Sequence, residues 1–331
     1  MTTRIAVDAM GGDHGPAVIV TGAVAGARSL GCDLLLVGQP EAIREAMVST
    51  AASGVHVDIV DAEDVIGMDE HAAQAVRRKP RSSIVVALRL IKDGRADAVV
   101  SAGNSGAVMA AALMVLGRIP GIDRPAIASS MPTAASRTLL LDLGAVADPR
   151  PANLVQFAVM GQVYAEKVLG VANPSVGLLS NGEEATKGNA LVQQVHALLV
   201  TTEGLNFVGN VEGSDIARGT IDVVVTDGFT GNVALKTAEG IATLMTELLR
   251  AEITSTLPRK LAGLLLRPAF RAVRDKLDYA ETGGAALLGV NGAVIIAHGR
   301  SSARAIENAL RVAAEAAEHD LTAKIAERVK A

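Results

Sequence analysis

The chain has no tryptophan, and only 2% of its 331 residues are aromatic. Scarce rings count against stacking as the main mode of recognition, and so against single-stranded nucleic-acid platforms. A single cysteine, Cys32, excludes an internal disulfide framework and a thiolate zinc site. It precedes a strand, away from the polar loops, and reads as a small core residue rather than a nucleophile. Acidic side chains outnumber Lys and Arg by 35 to 31, a net charge of −4, so the chain as a whole is not a cationic nucleic-acid binder. No basic and apolar leader opens the sequence. The longest apolar run, near residues 107–116, falls short of the roughly 20 residues that span a bilayer. These absences predict a soluble, cytoplasmic protein that is still able to touch a membrane surface.

What is present is aliphatic. Half of the residues are hydrophobic, and a mean hydropathy of +0.34 excludes disorder. Short β-branched runs alternate with longer helix-like runs. Strands are predicted at 4–9, 33–38, 55–60, 96–101, 126–131, 138–143, 175–180, 221–227 and 292–299. Several are apolar throughout, as strands buried on both faces are, which points to a mostly parallel sheet covered by helices. No linker or repeat interrupts the rhythm, so residues 1–331 are expected to form one α/β unit.

The 33 glycines are concentrated. Six segments combine Gly with polar residues: 8–14, 101–106, 142–144, 180–189, 227–232 and 298–302. Each follows a predicted strand, and carboxyl ends of strands are where open α/β sheets bind ligands. Any one segment reads equally well as a tight turn. Six together at one sheet edge point to a small anion, phosphate first, held by backbone that can come close to it. The resulting candidates for substrate or phosphate contact are Asp8, Gly11, Gly12, Gly103, Asn104, Ser105, Gly182, Asp227, Gly228 and His298. His14 and His71 are weaker candidates, as lone surface histidines. Asp8, Asp13 and Asp227 have no spacing that specifies a metal, and turn roles suit them better. Dinucleotide, P-loop, nucleophile-elbow and zinc-protease fingerprints are all missing.

Two residues stand out chemically. Lys187 lies in a Gly-Glu-Glu-Ala-Thr-Lys-Gly-Asn loop that opens a helix. It either holds a phosphate or oxyanion as a point charge, or is a solvated lysine paired with Glu183 or Glu184. Asn232 follows Gly231 at a helix start. It either caps that helix or donates to a substrate carbonyl. Spacing leaves both alternatives open at both residues.

One segment breaks the pattern. In 257–278, Leu257, Leu261, Leu264, Leu265, Phe270, Val273 and Leu277 recur at roughly helical spacing among Arg259, Lys260, Arg267, Arg271, Arg274 and Lys276. Pro268 is expected to kink this segment or split it into a helical hairpin. Composition favours a core-packed helix with a solvated basic face. The alternatives are a membrane-surface element, with Leu264, Leu265 and Leu266 inserting, or a basic dock for an acidic partner. A second cluster, 77–81 (RRKPR), reads as a solvated turn or a second dock.

With these residues in place, the chain resembles the phosphate acyltransferase family often called PlsX. The matching motifs are 5–13 (IAVDAMGGD), 101–107 (SAGNSGA), 117–125 (GRIPGIDRP), 156–161 (QFAVMG), 182–189 (GEEATKGN), 207–213 (FVGNVEG), 227–232 (DGFTGN) and 283–292 (GGAALLGVNG). Departures from the family's usual pattern fall at Val146, Ser180-Asn181, Ser214 and Thr226. The resemblance implies transfer of a fatty acyl group from acyl carrier protein to inorganic phosphate, giving acyl phosphate for phospholipid synthesis. It implies a three-layer α/β/α sandwich like the isocitrate and isopropylmalate dehydrogenases and the phosphotransacetylases, a homodimer, and no redox cofactor; no metal is expected from the residue spacing either. It places the functional lysine and asparagine on Lys187 and Asn232. It also implies peripheral membrane contact through a projecting hydrophobic hairpin, with Leu261, Leu264, Leu265, Leu266, Arg267 and Arg271 meeting membrane or carrier protein.

Overall fold

The computed structural model describes residues 2–48, 50, 53–133, 137–277 and 283–330; the side chains of Arg274, Asp275, Lys276 and Leu277 lie outside the described set. In chain order the elements are β1 (Arg4–Asp8), α1 (Gly15–Leu30), β2 (Asp33–Gly38), α2 (Pro40–Val48), β3 (Val57–Asp61), α3 (Ala72–Arg78), α4 (Ser83–Lys92), β4 (Ala98–Ser101) and α5 (Ser105–Val115). There follow β5 (Ala126–Pro132), β6 (Arg137–Leu141), α6 (Pro151–Lys167), β7 (Val176–Leu179), α7 (Ala190–Val200), β8 (Phe207–Val211), α8 (Gly213–Arg218), β9 (Val223–Val225) and α9 (Gly228–Thr254). The chain closes with α10 (Leu257–Leu277), β10 (Ala285–Leu288), β11 (Ala293–Ile296), α11 (Ala303–Glu318) and α12 (Leu321–Lys330).

All nine predicted strands are present; β8 and β10 were not anticipated. The Phe-Val-Gly-Asn-Val of β8 is only half-buried at the sheet edge, and β10 is four residues of Ala and Leu that read equally well as helix. The strands form one 11-stranded sheet in the order β3-β2-β1-β4-β11-β10-β5-β6-β9-β7-β8. Alternation along each strand feeds two cores. Ile5, Val7, Leu34 and Leu36 point to one face, against α1, α6, α11 and α12. Ala6, Leu35, Val37 and Val99 point to the other, against α3, α4 and α5. A smaller cluster around Leu140, Val224 and Ile216 continues that second layer under α8. Helices therefore cover both faces of the sheet. Cys32 is buried in the first core, and burial raises its thiol pKa to about 11, which fits a packing role.

The sheet is not uniformly parallel. Strand β10 runs antiparallel to both β11 and β5, and β5 runs antiparallel to β6. Consequently β1, β2, β3, β4 and β11 point one way, whereas β6, β7, β8 and β9 point the other. The single binding edge expected from the sequence is thus divided into two groups of loops. Twist reduces the division. Over the six steps from β1 to β9, at about 20–25° each, the reversed half swings back by roughly 120–150°.

Segment 257–278 also differs from expectation. Pro268 lies inside one continuous helix, α10, and does not split it. α10 follows α9 after a break at Ser255 and Thr256 and packs against it; Arg259 reaches Glu252 at 2.6 Å. A core-packed α10 is not observed. Leu257, Leu261, Leu264, Leu265, Leu266, Phe270 and Val273 are all exposed, Leu265 at 84%. The 77–81 cluster is engaged locally: Lys79 pairs with Glu70 and Arg81 with Glu63, each at 2.6 Å.

Helix–helix contact on the first face depends on glycine. A side chain at Gly22 of α1 would fall on the Ala303 carbonyl and 2.7 Å from Ile306 Cβ of α11. Gly22→Val is therefore expected to destabilise the fold by about 1–3 kcal/mol through overpacking. Its thermal midpoint should fall by several degrees, and an unchanged midpoint would contradict this packing.

Candidate active site

The first group of loops gathers at the carboxyl ends of β1, β4 and β11. Asp8 is buried, with one oxygen accepting from Ser101 Oγ at 2.7 Å and the other from the Met10 amide at 3.2 Å. Burial raises its pKa, against the pull of those hydrogen bonds. Asp8 therefore supports the site from beneath rather than lining it. Above it the backbones touch: a Cβ at Gly11 would lie 2.6 Å from the Gly103 nitrogen. Gly12, at φ +89°, lies beside the Gly299 carbonyl, which also accepts from the Asp13 amide at 2.7 Å. Such contact between three loops leaves no room for side chains there.

Many amides in these loops are already occupied. Gly103 N donates to Ser101 Oγ, and Ala107 N to the Asn104 side chain that caps α5. The Asn104 amide group points away, donating to the carbonyls of Gly67, Met68 and Glu70. Among the described residues, the amides of Ser105 and Gly106, in the first turn of α5, have no acceptor. They are two backbone donors that this group offers an anion.

His298 stands at the rim of the same group. Its Nδ1 accepts from the Arg300 amide at 3.1 Å, so the neutral ring carries its proton on Nε2. Partial burial, and next the Lys236 ammonium of α9, hold its pKa below the ordinary 6.5. This places the polar face of α9 beside the β11 loop.

The second group lies at the carboxyl ends of β6, β9 and β7. Asp227 caps α9, accepting from Thr230 N at 2.8 Å. Gly228 and Gly231 press the first turn of α9 onto the loop after β6: a Cβ on Gly228 would come within 2.6 Å of Asp142 Oδ2, and one on Gly231 would overlap the Asp142 carbonyl. Asn232 is therefore inside the helix, and the capping role open to it from the sequence belongs to Asp227. Its Nδ2 donates to the Leu143 carbonyl at 3.0 Å and lies over Gly144, whose φ of +128° suits glycine alone. One amide hydrogen is thereby used and the other is left over.

Lys187 sits in the loop after β7, which pairs in parallel with β9. The two loops thus leave neighbouring strands in one direction. Lys187 is exposed, its stem packed on Gly182, and among the described residues no carboxylate pairs with it, Glu183 and Glu184 included. No described contact joins Lys187 to Asn232. Two contributors were missed in the sequence: Asp142, which reads there as a turn residue, and Lys236, hidden in an ordinary helical stretch.

A family profile described as "Fatty acid synthesis protein" matches residues 3–324. A phosphate acyltransferase of Heliobacterium modesticaldum is 53% identical over 328 residues, covering 98% of this chain and 97% of the relative. The chain belongs to the phosphate acyltransferase family. Members of this family are acyltransferase enzymes of fatty acid synthesis, and this chain is one. Among solved structures, a phosphotransacetylase from Streptococcus pyogenes shares the fold, with a TM-score of 0.66 at 18% identity over 96% of this chain and 94% of that one. A 4-hydroxythreonine-4-phosphate dehydrogenase from Burkholderia phymatum shares it more distantly, with a TM-score of 0.53 at 16% identity over 95% of this chain and 98% of that one. The phosphate acyltransferase fold is accordingly an α/β fold shared by transacylases and dehydrogenases, and the site rather than the fold has to define the chemistry.

The depressed pKa of His298 has a measurable consequence. Its titration midpoint, followed by NMR, is expected below 6.5, and Lys236→Gln should raise it by removing the nearby charge. Because the folded value is depressed, the stability His298 contributes is present above the unfolded value and is lost as pH falls through the folded one. An unmoved midpoint in the variant would separate Lys236 from the β11 loop.

Proposed function

We propose that the chain transfers a fatty acyl group from the thioester of acyl carrier protein to inorganic phosphate, producing acyl phosphate for phospholipid synthesis. The observation that carries this reading is the pairing of β7 with β9, which sends the Lys187 loop and the Asn232 helix out from adjacent parallel strands. A cation and an amide donor are what phosphate attack on a thioester needs. A phosphate oxygen adds to the carbonyl carbon, forming a C–O bond and a tetrahedral oxyanion. The C–S bond then breaks, and the pantetheine sulfur leaves and takes up a proton.

In this mechanism Lys187 offsets phosphate charge, and the second amide hydrogen of Asn232 meets the oxyanion as it develops. The amides of Ser105 and Gly106, with His298, hold phosphate, beside the close-packed Gly11, Gly12 and Gly103. Gly182 gives the Lys187 stem its seat, and Gly228 lets the start of α9 approach. Holding both reactants together contributes several kcal/mol. None of these steps calls on a cofactor or metal.

The α9–α10 pair carries the rest of the proposal. Among the described residues no helix is long and apolar enough to cross a membrane. Leu261, Leu264, Leu265 and Leu266 nonetheless stand exposed beside Arg267 and Arg271. Exposed apolar surface with a basic border suits an anionic membrane surface or the acidic carrier protein. We assign peripheral membrane contact to this face of a cytoplasmic homodimer.

Lys187→Ala and Asn232→Ala should each lower acyl-phosphate formation, trapped with hydroxylamine, by about 10²–10³-fold without unfolding the chain. Near-normal rates in both variants would overturn the assignment. In flotation with anionic liposomes, the unmodified protein should rise with the lipid and Leu265→Glu should remain below. Equal flotation of the two would rule out insertion at Leu265.

A further inference from the structure

Asp142 is fully buried, and the mechanism above does not use it. Its carboxylate accepts four backbone N–H groups. Ile127 N (2.9 Å), Gly144 N (3.2 Å) and Ala145 N (3.0 Å) donate to Oδ1, and Val146 N (2.7 Å) donates to Oδ2. Among the described residues no Lys or Arg pairs with it. A buried charge without a cation persists only where donors converge on it, and here they all come from backbone.

Those donors have a common geometry. Ile127 belongs to β5, the other three to the turn that follows β6. The same turn meets α9 at three points. The Val146 carbonyl accepts from Gly228 N at 2.9 Å, the Asp142 carbonyl packs on Gly231, and the Leu143 carbonyl accepts from Asn232 Nδ2 at 3.0 Å. The carboxylate thus fixes the turn, and the turn holds the Asn232 amide. Four donors need two acceptor oxygens, which asparagine lacks; its NH2 group would face one of the backbone N–H groups.

We infer that Asp142 is a positioning residue that sets the direction of the Asn232 amide through the 143–146 turn. This rests on the reading of Asn232 as the oxyanion donor. The side chain touches no substrate; it acts through the turn.

The test is a double-mutant cycle on the full-length protein, with hydroxylamine-trapped acyl phosphate as the readout. Asp142→Asn should lower kcat by about tenfold or more while the KM for phosphate stays within about twofold, because the donor is misdirected and phosphate binding is not. In the Asn232→Ala background, the same substitution should have no further effect on kcat. If Asp142→Asn lowers kcat equally in both backgrounds, Asp142 does not act through Asn232 and the inference fails. A wild-type kcat in Asp142→Asn overturns it as well. If Asn232→Ala alone is fully active, the reading of Asn232 fails first and takes this inference with it. Should Asp142→Asn not fold, Val146→Pro, which removes the N–H that donates to Oδ2, is put through the same cycle with the same expected and contrary results.

Discussion

Antiparallel pairing of β5 with β6 governs the rest of the architecture. Without it β6, β7, β8 and β9 would point the same way as β1, β2, β3, β4 and β11, and the polar loops would stand in a row along one edge. With it the loops form two groups on oppositely directed halves, while β10, antiparallel to both β11 and β5, leaves those two parallel to each other. Sheet twist then turns the halves toward one another, and α9 links them. Asn232 lies in its first turns against the β6 loop, while Lys236, one turn on, is close enough to His298 to lower that residue's proton affinity.

Backbone amides are the scarce resource at this site. Glycine exposes them, but most are already committed: three in the β6 turn and one in β5 to the Asp142 carboxylate, one to Ser101, one to the Gly299 carbonyl. A glycine-rich loop is therefore not an anion cradle by virtue of its composition. The loop after β6 spends its N–H groups on an internal carboxylate, which makes it a rigid platform for α9. The start of α5 keeps two amides open, because Asn104 caps only the third and turns its own NH2 toward the 67–70 loop.

The same helix that carries Asn232 runs on into an exposed apolar surface. Ile241, Leu244, Met245, Leu248 and Leu249 of α9 are exposed, as are Leu257, Leu261, Leu264, Leu265 and Leu266 of α10, which packs against it. A net charge of −4 hides the basic residues between those leucines. In the proposed function, chemistry and surface attachment share one mechanical element.

Much of this was legible in the residues. Uniformly apolar runs marked nine strands, since a strand buried on both faces has no polar alternation to hide it, and clustered glycines marked the loops that approach one another. Residue types also singled out Lys187 and Asn232 before any geometry was known. Sequence could not show that Pro268 stays within a helix, or that α10 leaves its leucines exposed, because periodicity reports a face and not what covers it. Strand polarity was equally invisible: a four-residue run such as Ala285–Leu288 reads the same in either direction. The role of Asp142 was hidden for a related reason. Its four donors come from two elements separated along the chain, and only folding places Ile127 beside the 144–146 turn. Local propensity determined which elements form. The direction, partners and exposure of those elements were decided by long-range hydrogen bonding and packing.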